Sequence, residues 1–216
     1  MYFSGVEDRL RQTIDAIVHD RDARNFITRT GKGADVPELL GDGWANSWTP
    51  TELQQLAGMS QAARQDYIAV RVRAFLDDPG ITSARVSQAA TQTANAELQL
   101  QAQVAQAMGG DLVRFNSEVL TRTQSRFTGK IKYSPLTDID VETTKAIVEV
   151  TTQPDAGGKI GQLQVLLGTV VNPQGKPVLH FMPRATTGAE AALMANGSQW
   201  VYRDLRSLTT ALALLP

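Results

Sequence analysis

In the first half of the chain the apolar positions recur at helical intervals. Between Val6 and Arg29, Leu10, Ile14, Ile17 and Val18 fall three and four apart with charges between them, which predicts an amphipathic helix. A polar link containing Gly31, Gly33, Gly41 and Gly43 follows. Thr49-Pro50-Thr51-Glu52 then reads as a helix start, with proline in the first turn where its missing N–H costs nothing. The stretch Thr51 to Leu76 predicts one helix or two, the break falling near Gly58-Met59-Ser60, and Asp78-Pro79-Gly80 ends it. From Thr82 to Met108 runs an Ala/Gln-rich segment of high helix propensity and thin apolar face, closed by Gly109-Gly110. It reads as a spacer or docking helix, with no chemistry expected before Gly110.

Beyond Asp111 the pattern changes. Leu112, Val113, Phe115, Val119 and Leu120 suggest an amphipathic helix from Leu112 to Phe127. Gly129 to Tyr133 is a candidate first strand. Asp138 to Thr143 and Ala146 to Thr151 alternate with period two and are joined by Thr144-Lys145, the signature of a β-hairpin. There follow a helix (Lys159 to Leu167), a strand (Pro177 to Met182), a helix (Ala189 to Ala195), a strand (Gln199 to Arg203) and a last helix (Leu205 to Leu214). Strands alternating with helices of this length predict an α/β domain over residues 111–216 with a partly parallel sheet, preceded by a helical region over 1–110. No internal repeat interrupts this division.

Composition narrows the chemistry. The chain of 216 residues has no cysteine, which removes disulfides, thiolate catalysis and cysteine-bound zinc. Its two histidines, His19 and His180, are too few for a histidine-rich metal site, so a metal bound here is expected to be a hard cation held by oxygen. Ten basic and thirteen acidic side chains in residues 1–110, against eleven and nine in 111–216, neither demand nor forbid a nucleic-acid partner. No run approaches the roughly 18 to 20 apolar residues of a membrane span, and MYFSGVEDRL lacks a secretory layout. Export would therefore depend on another part of a longer chain.

The hairpin holds the unusual pattern. With Thr144-Lys145 as the loop, Val141 opposes Val148 and Asp140 opposes Glu149. Alternation puts Asp138, Asp140, Glu142, Glu149 and Thr151 on one face, and Ile139, Val141, Val148 and Val150 on a core face. Opposed side chains on a sheet stand roughly 4.5–5.5 Å apart at Cβ, and like charges there repel. A divalent cation between them would relieve that repulsion. The competing reading is a solvated hairpin edge, but no basic residue shares that face to balance its acids.

The run DIDVETTKAIVEVTT, followed by GGKIGQLQ and NPQGKPVLHFMP, resembles the C-terminal nuclease domains of polymorphic bacterial toxins, including effectors of contact-dependent growth inhibition, in the restriction-endonuclease-like PD-(D/E)xK superfamily. The resemblance covers residues 111–216. It implies Asp140 as the catalytic aspartate, Glu149 as the second acid and Glu118 as an early-helix glutamate. It also implies Mg²⁺ or Mn²⁺ as cofactor, a DNA or tRNA substrate, and a cognate immunity protein as partner. An effector of this kind is secreted and acts in the cytoplasm of target bacteria. Where the family carries lysine, two residues after the second acid, this chain has Thr151, and Lys159 is the candidate replacement. Gln162, on the same helical face as Lys159, is placed to orient water or phosphate.

In the mechanism this implies, Asp140, Glu149 and the Val150 carbonyl hold the metal, Lys159 steadies charge on the phosphorus oxygens, and Asp138, Glu142 and Glu118 stand further out. Arg122, Arg126, Lys130 and Lys132 read either as a phosphate-tracking cluster or as a solvated basic face. Trp44 and Trp48 read as a plug between helices, and His180 in VLHFMP as a core or strand-end histidine. Gly157-Gly158-Lys159 does not complete a GxxxxGK[ST] phosphate loop. The alternative from another class is a non-enzymatic module that uses the hairpin edge for protein pairing.

Overall fold

The structure, a computed structural model, describes residues 49–60, 63, 66, 67, 70, 71, 74, 78–129 and 131–216. The helix expected at Val6 to Arg29, the glycine-rich link, His19, Trp44 and Trp48 lie outside the described residues. The chain divides into two compact units, Met1–Asp78 with Leu120–Pro135, and Pro79–Val119 with Leu136–Pro216.

In the first unit, α1 (Pro50–Gly58) starts as expected. The Thr49 side chain accepts from the Glu52 N–H, Glu52 returns the bond to the Thr49 N–H at 2.9 Å, and Pro50 opens the first turn. Glu52 also meets Arg71 Nε at 3.1 Å.

The second unit carries α2 (Pro79–Gln92), α3 (Ala96–Met108), β1 (Leu112–Gln124), β2 (Ile131–Thr143), β3 (Ile147–Val150), α4 (Lys159–Leu166), β4 (Val178–Phe181), α5 (Thr187–Ala195), β5 (Trp200–Tyr202) and α6 (Leu205–Leu214), β1 and β2 running on into the first unit. The fold is α/β, with a mixed five-stranded sheet in the order β1-β2-β3-β4-β5 flanked by helices. β2 and β3 are antiparallel; β3–β4 and β4–β5 are parallel, each pair connected through a helix.

Packing divides the sheet's two faces. Val141, Val148, Val150, Leu179 and Phe181 pack with Ala102, Val104 and Ala105 of α3 and with Leu208 and Leu212 of α6. Ile139, Ile147, Val178 and Met182 pack with Leu163 and Leu166 of α4 and Leu193 of α5. The period-two strands bury on both faces because helices cover both. The thin apolar face of α3 is therefore not that of a spacer. Its small side chains let the helix lie close on the sheet, and the compact unit begins at Pro79 rather than at Asp111.

Three expectations are corrected here. Leu112 to Phe127 is not a helix: β1 covers Leu112–Gln124, with Phe115, Asn116 and Ser117 all buried. The spacing of Leu112, Phe115 and Val119 also fits a helix, but Val113, Val119, Thr121 and Thr123 are β-branched and favour the strand. Asn116, at φ 43°, takes a left-handed backbone conformation within β1, and its carbonyl accepts from Arg85 Nη2 at 3.0 Å. The segment from Thr82 to Met108 is two helices, separated where Asn95 caps α3 by accepting from the Glu97 and Leu98 N–H groups. Finally, Ile139 and Val141 do not share a face. Ile139 lies in the α4-side core and Val141 in the α3-side core, so the alternation of β2 slips at Asp140. Among the described residues no helix is long and apolar enough to cross a membrane.

Candidate active site

The hairpin forms in the expected register, with Val141 opposite Val148 and Glu142 opposite Ile147. Thr143 closes the turn: its Oγ1 accepts from the N–H groups of Lys145 and Ala146. Asp140 and Glu149 each adjoin the Val141–Val148 pair, and both carboxyls are buried, 2% and 1% exposed. These are not side chains of a solvated edge.

Two helices complete the site from opposite sides of the sheet. From α4, Lys159 Nζ stands 3.4 Å from Glu149 Oε2 and 3.9 Å from Asp140 Oδ2. It also donates to Gln162 Oε1 at 3.1 Å, and Gln162 Nε2 is held by the carbonyl and Oδ1 of Asp138, each at 3.2 Å. A lysine as the first residue of a helix faces the positive end of the helix dipole, an unfavourable place for a cation unless acids await it. From α3, Gln101 Nε2 donates to Asp140 Oδ1 at 2.7 Å, while Val150 gives its N–H to Asp140 Oδ2 at 2.7 Å. One turn before Gln101, Glu97 Oε2 accepts from Thr151 Oγ1 at 3.0 Å and from the Thr152 N–H at 3.4 Å. The slip at Asp140 thus lets one carboxylate be reached from both layers.

The electrostatics follow from burial. Burial pushes Asp140 up to about 6, against the pull of the Lys159 ammonium and the Val150 N–H. Burial and then the Asp140 charge raise Glu149 well above its ordinary value, with Lys159 opposing. Burial works against the Lys159 ammonium, but Asp140, Glu149, Glu97 and Asp138 together outweigh it and its pKa is raised. His180, fully buried, is depressed to about 4 by burial and by the nearby Lys159 charge, so its ring is neutral at physiological pH.

Asp140, Glu149, Lys159, Gln162 and Asp138 are therefore brought together. Thr151 is buried beside them but engages Glu97, and Val150 enters through its N–H. Glu142 faces elsewhere, paired with Lys176 Nζ at 2.7 Å and with Arg114 Nε at 3.5 Å. The acids of this hairpin thus do have basic partners, supplied by other elements. Glu118 stands in β1 and not on an early helix; its side chain, with those of Arg122 and Lys132, lies outside the described residues, as does Lys130 entirely. Arg126 is exposed in the turn after β1. Glu97 and Gln101 were missed by the sequence reading, which expected nothing chemical before Gly110. Their spacing of four on one helix face was the available signal, hidden by the other glutamines of α3.

Glu149 Oε1, Gln101 Oε1 and His180 Nε2 are buried without a hydrogen-bond partner, and the Asp140 and Glu149 carboxyls are both raised, the signs of a buried site short of positive charge. Among the described residues no group of three or more His, Asp or Glu side chains is set to hold a metal ion. Two carboxylates are nonetheless what Mg²⁺ commonly takes from protein, its other positions going to water and substrate phosphate. No family model, curated protein or solved structure matches this chain.

Proposed function

We propose that this chain is a metal-dependent phosphodiesterase of restriction-endonuclease-like fold, a nuclease acting on DNA or tRNA as an antibacterial effector held in check by an immunity protein. The observation that carries the reading is Lys159. Its ammonium sits between Asp140 and Glu149, supplying from α4 the cation that the family has two residues after its second acid. Two opposed acids and a lysine, buried where two layers meet the hairpin, form an aspartate–glutamate–lysine constellation for phosphodiester hydrolysis.

Asp140 and Glu149 would hold Mg²⁺ or Mn²⁺, which when bound supplies Lewis-acid polarisation of the phosphate and a more acidic water. The other roles belong to the chain. Gln101 and the Val150 N–H fix the Asp140 carboxylate through both oxygens. Gln162, anchored on Asp138, fixes Lys159. Lys159 remains charged and donates to phosphate oxygens as charge builds on them, a contribution worth most where water is excluded.

The test is incubation of the purified protein with plasmid DNA and with total tRNA, with and without millimolar Mg²⁺ or Mn²⁺. Cleavage that needs the metal and is lost in Asp140→Ala and Glu149→Ala is the expected result. Intact substrates under all conditions, from folded protein, would overturn the reading. Expression in a bacterium should arrest growth, with the Asp140→Ala form harmless.

A further inference from the structure

The link from β1 to its sheet neighbour β2 turns at Ser125 to Gly129, and the turn closes on itself. The Gly129 N–H donates to the Ser125 carbonyl at 2.9 Å, the Thr128 N–H to Ser125 Oγ at 3.2 Å, and Gln124 Nε2 to the Gly129 carbonyl at 3.2 Å. Gly129, at φ 67°, takes the left-handed conformation in which a side chain would be strained. Bonds among its own residues thus hold the turn. Phe127 is its central residue and is 100% exposed, more than any other large apolar side chain among the described residues. Burial of such a ring stabilises a fold, and turns favour Gly, Asn, Asp and Ser, so packing does not account for phenylalanine here. Charge around it is one-sided. Arg122, Arg126, Lys130 and Lys132 flank it in sequence, and no acid occurs from Val119 to Thr137. Arg126, next to the ring, is exposed as well.

We infer that this turn is a nucleic-acid contact in which Phe127 stacks on an unpaired base while the basic residues around it meet phosphates, so that the chain prefers unpaired nucleotides to duplex. The inference rests on the nucleic-acid substrate proposed above and names its form. An aromatic ring stacks on any base whose face is open, and basic side chains track the backbone with little regard to sequence. In a duplex those faces are covered by neighbouring pairs, and a ring reaches them only by unstacking a step, at a cost. An anionic lipid surface would draw the same charge. A single ring flanked by Arg126 and Thr128, however, gives an acyl layer little apolar area to bury.

Fluorescence anisotropy with the full chain in EDTA, which keeps binding apart from cleavage, tests this. The probes are a labelled mixed-sequence DNA oligonucleotide, the same sequence as RNA, and the DNA as a duplex. Wild type should bind the single strands more tightly than the duplex. Phe127→Ala should weaken single-strand binding about 5- to 150-fold and duplex binding less than about twofold, since the phosphate contacts remain. The ring is fully exposed, so Phe127→Ala should keep the wild-type Tm and lose only the contact. Phe127→Trp should retain the affinity, and its added indole emission, measured against wild type, should be quenched by a single strand. That quenching decides the matter should Phe127→Ala not fold. Single-strand binding unchanged in Phe127→Ala, equal loss for strand and duplex, or a wild type that binds neither, overturns the inference; metal-dependent cleavage of plasmid and tRNA is judged separately. Phe127-dependent binding to vesicles of phosphatidylserine and phosphatidylcholine, without binding to oligonucleotides, overturns it in favour of a lipid surface. Phe127-dependent single-strand binding by a chain that cleaves nothing upholds the inference and overturns the nuclease reading.

Discussion

Gln101 Nε2 reaches Asp140 Oδ1 at 2.7 Å across 39 positions of sequence, tying helix α3 to the hairpin through a bond that water does not reach. A hydrogen bond to a charged group is worth about 1.5–3 kcal/mol net. Its more specific effect is to hold the carboxylate in one rotamer. Gln101→Ala should therefore cost about 1–3 kcal/mol in urea unfolding and lower kcat/KM for phosphodiester cleavage. Gln101→Glu sets a like charge against Asp140 and should be worse on both counts. Unfolding and cleavage both unchanged in Gln101→Ala would show that Asp140 needs no such support.

A second prediction concerns pH. Asp140 titrates at about 6 in the folded protein, above its ordinary value of 3.8. A carboxyl whose folded pKa is raised favours the fold fully below its unfolded pKa, and that contribution is lost as pH rises through the folded one. In metal-free buffer Asp140→Asn should therefore be more stable than wild type at pH 7.5, by about 1–3 kcal/mol, and the advantage should vanish near pH 4. His180, depressed to about 4, acts in the opposite sense: its contribution is present above its unfolded value of 6.5 and is lost as pH falls through 4. Because His180 is common to both proteins, the difference between them isolates the carboxyl. Asparagine also fits, since its amide can donate to Gln101 Oε1 once the glutamine turns over. A difference independent of pH between 4 and 7.5 would mean that Asp140 carries no such strain.

How far the sequence disclosed this site depended on the range of the forces involved. The hairpin was legible because period-two alternation and a two-residue turn are local, and they set Val141 against Val148, with Asp140 and Glu149 next to that pair. Lys159 was legible because it opens the next helix. Glu97 and Gln101 were not, because a glutamine on a helix becomes part of a site only when tertiary packing presses it against a charge. Ile139 misled for a related reason: strict alternation assigns it to Val141's face, whereas it packs in the core on the other side, an outcome of tertiary packing that local periodicity does not carry. Leu112 to Gln124 fits either period over a few residues, and its pairing within the sheet decided for strand.

The last prediction separates two roles that Lys159 fills at once. Its ammonium neutralises buried carboxyls, and in the proposed mechanism it also meets the phosphate. Lys159→Met keeps most of the stem's volume and removes the charge. Removing one partner from a buried ion pair costs about 3–5 kcal/mol, so the variant should lose stability at pH 8 and regain part of it towards pH 5, where Glu149 and Asp140 take up protons instead. A divalent ion at millimolar concentration can replace the lost charge, and it should raise the variant's Tm by more than it raises that of wild type. Turnover should not follow. If the ammonium steadies charge that develops only during reaction, the metal-loaded and fully folded variant should remain at least about 100-fold slower than wild type. Thermal melts and cleavage rates on the same metal-loaded samples decide the matter. Should the metal restore both fold and rate, Lys159 would be a resident counter-ion that the metal displaces, and the group acting on the phosphate would have to be sought elsewhere in the site.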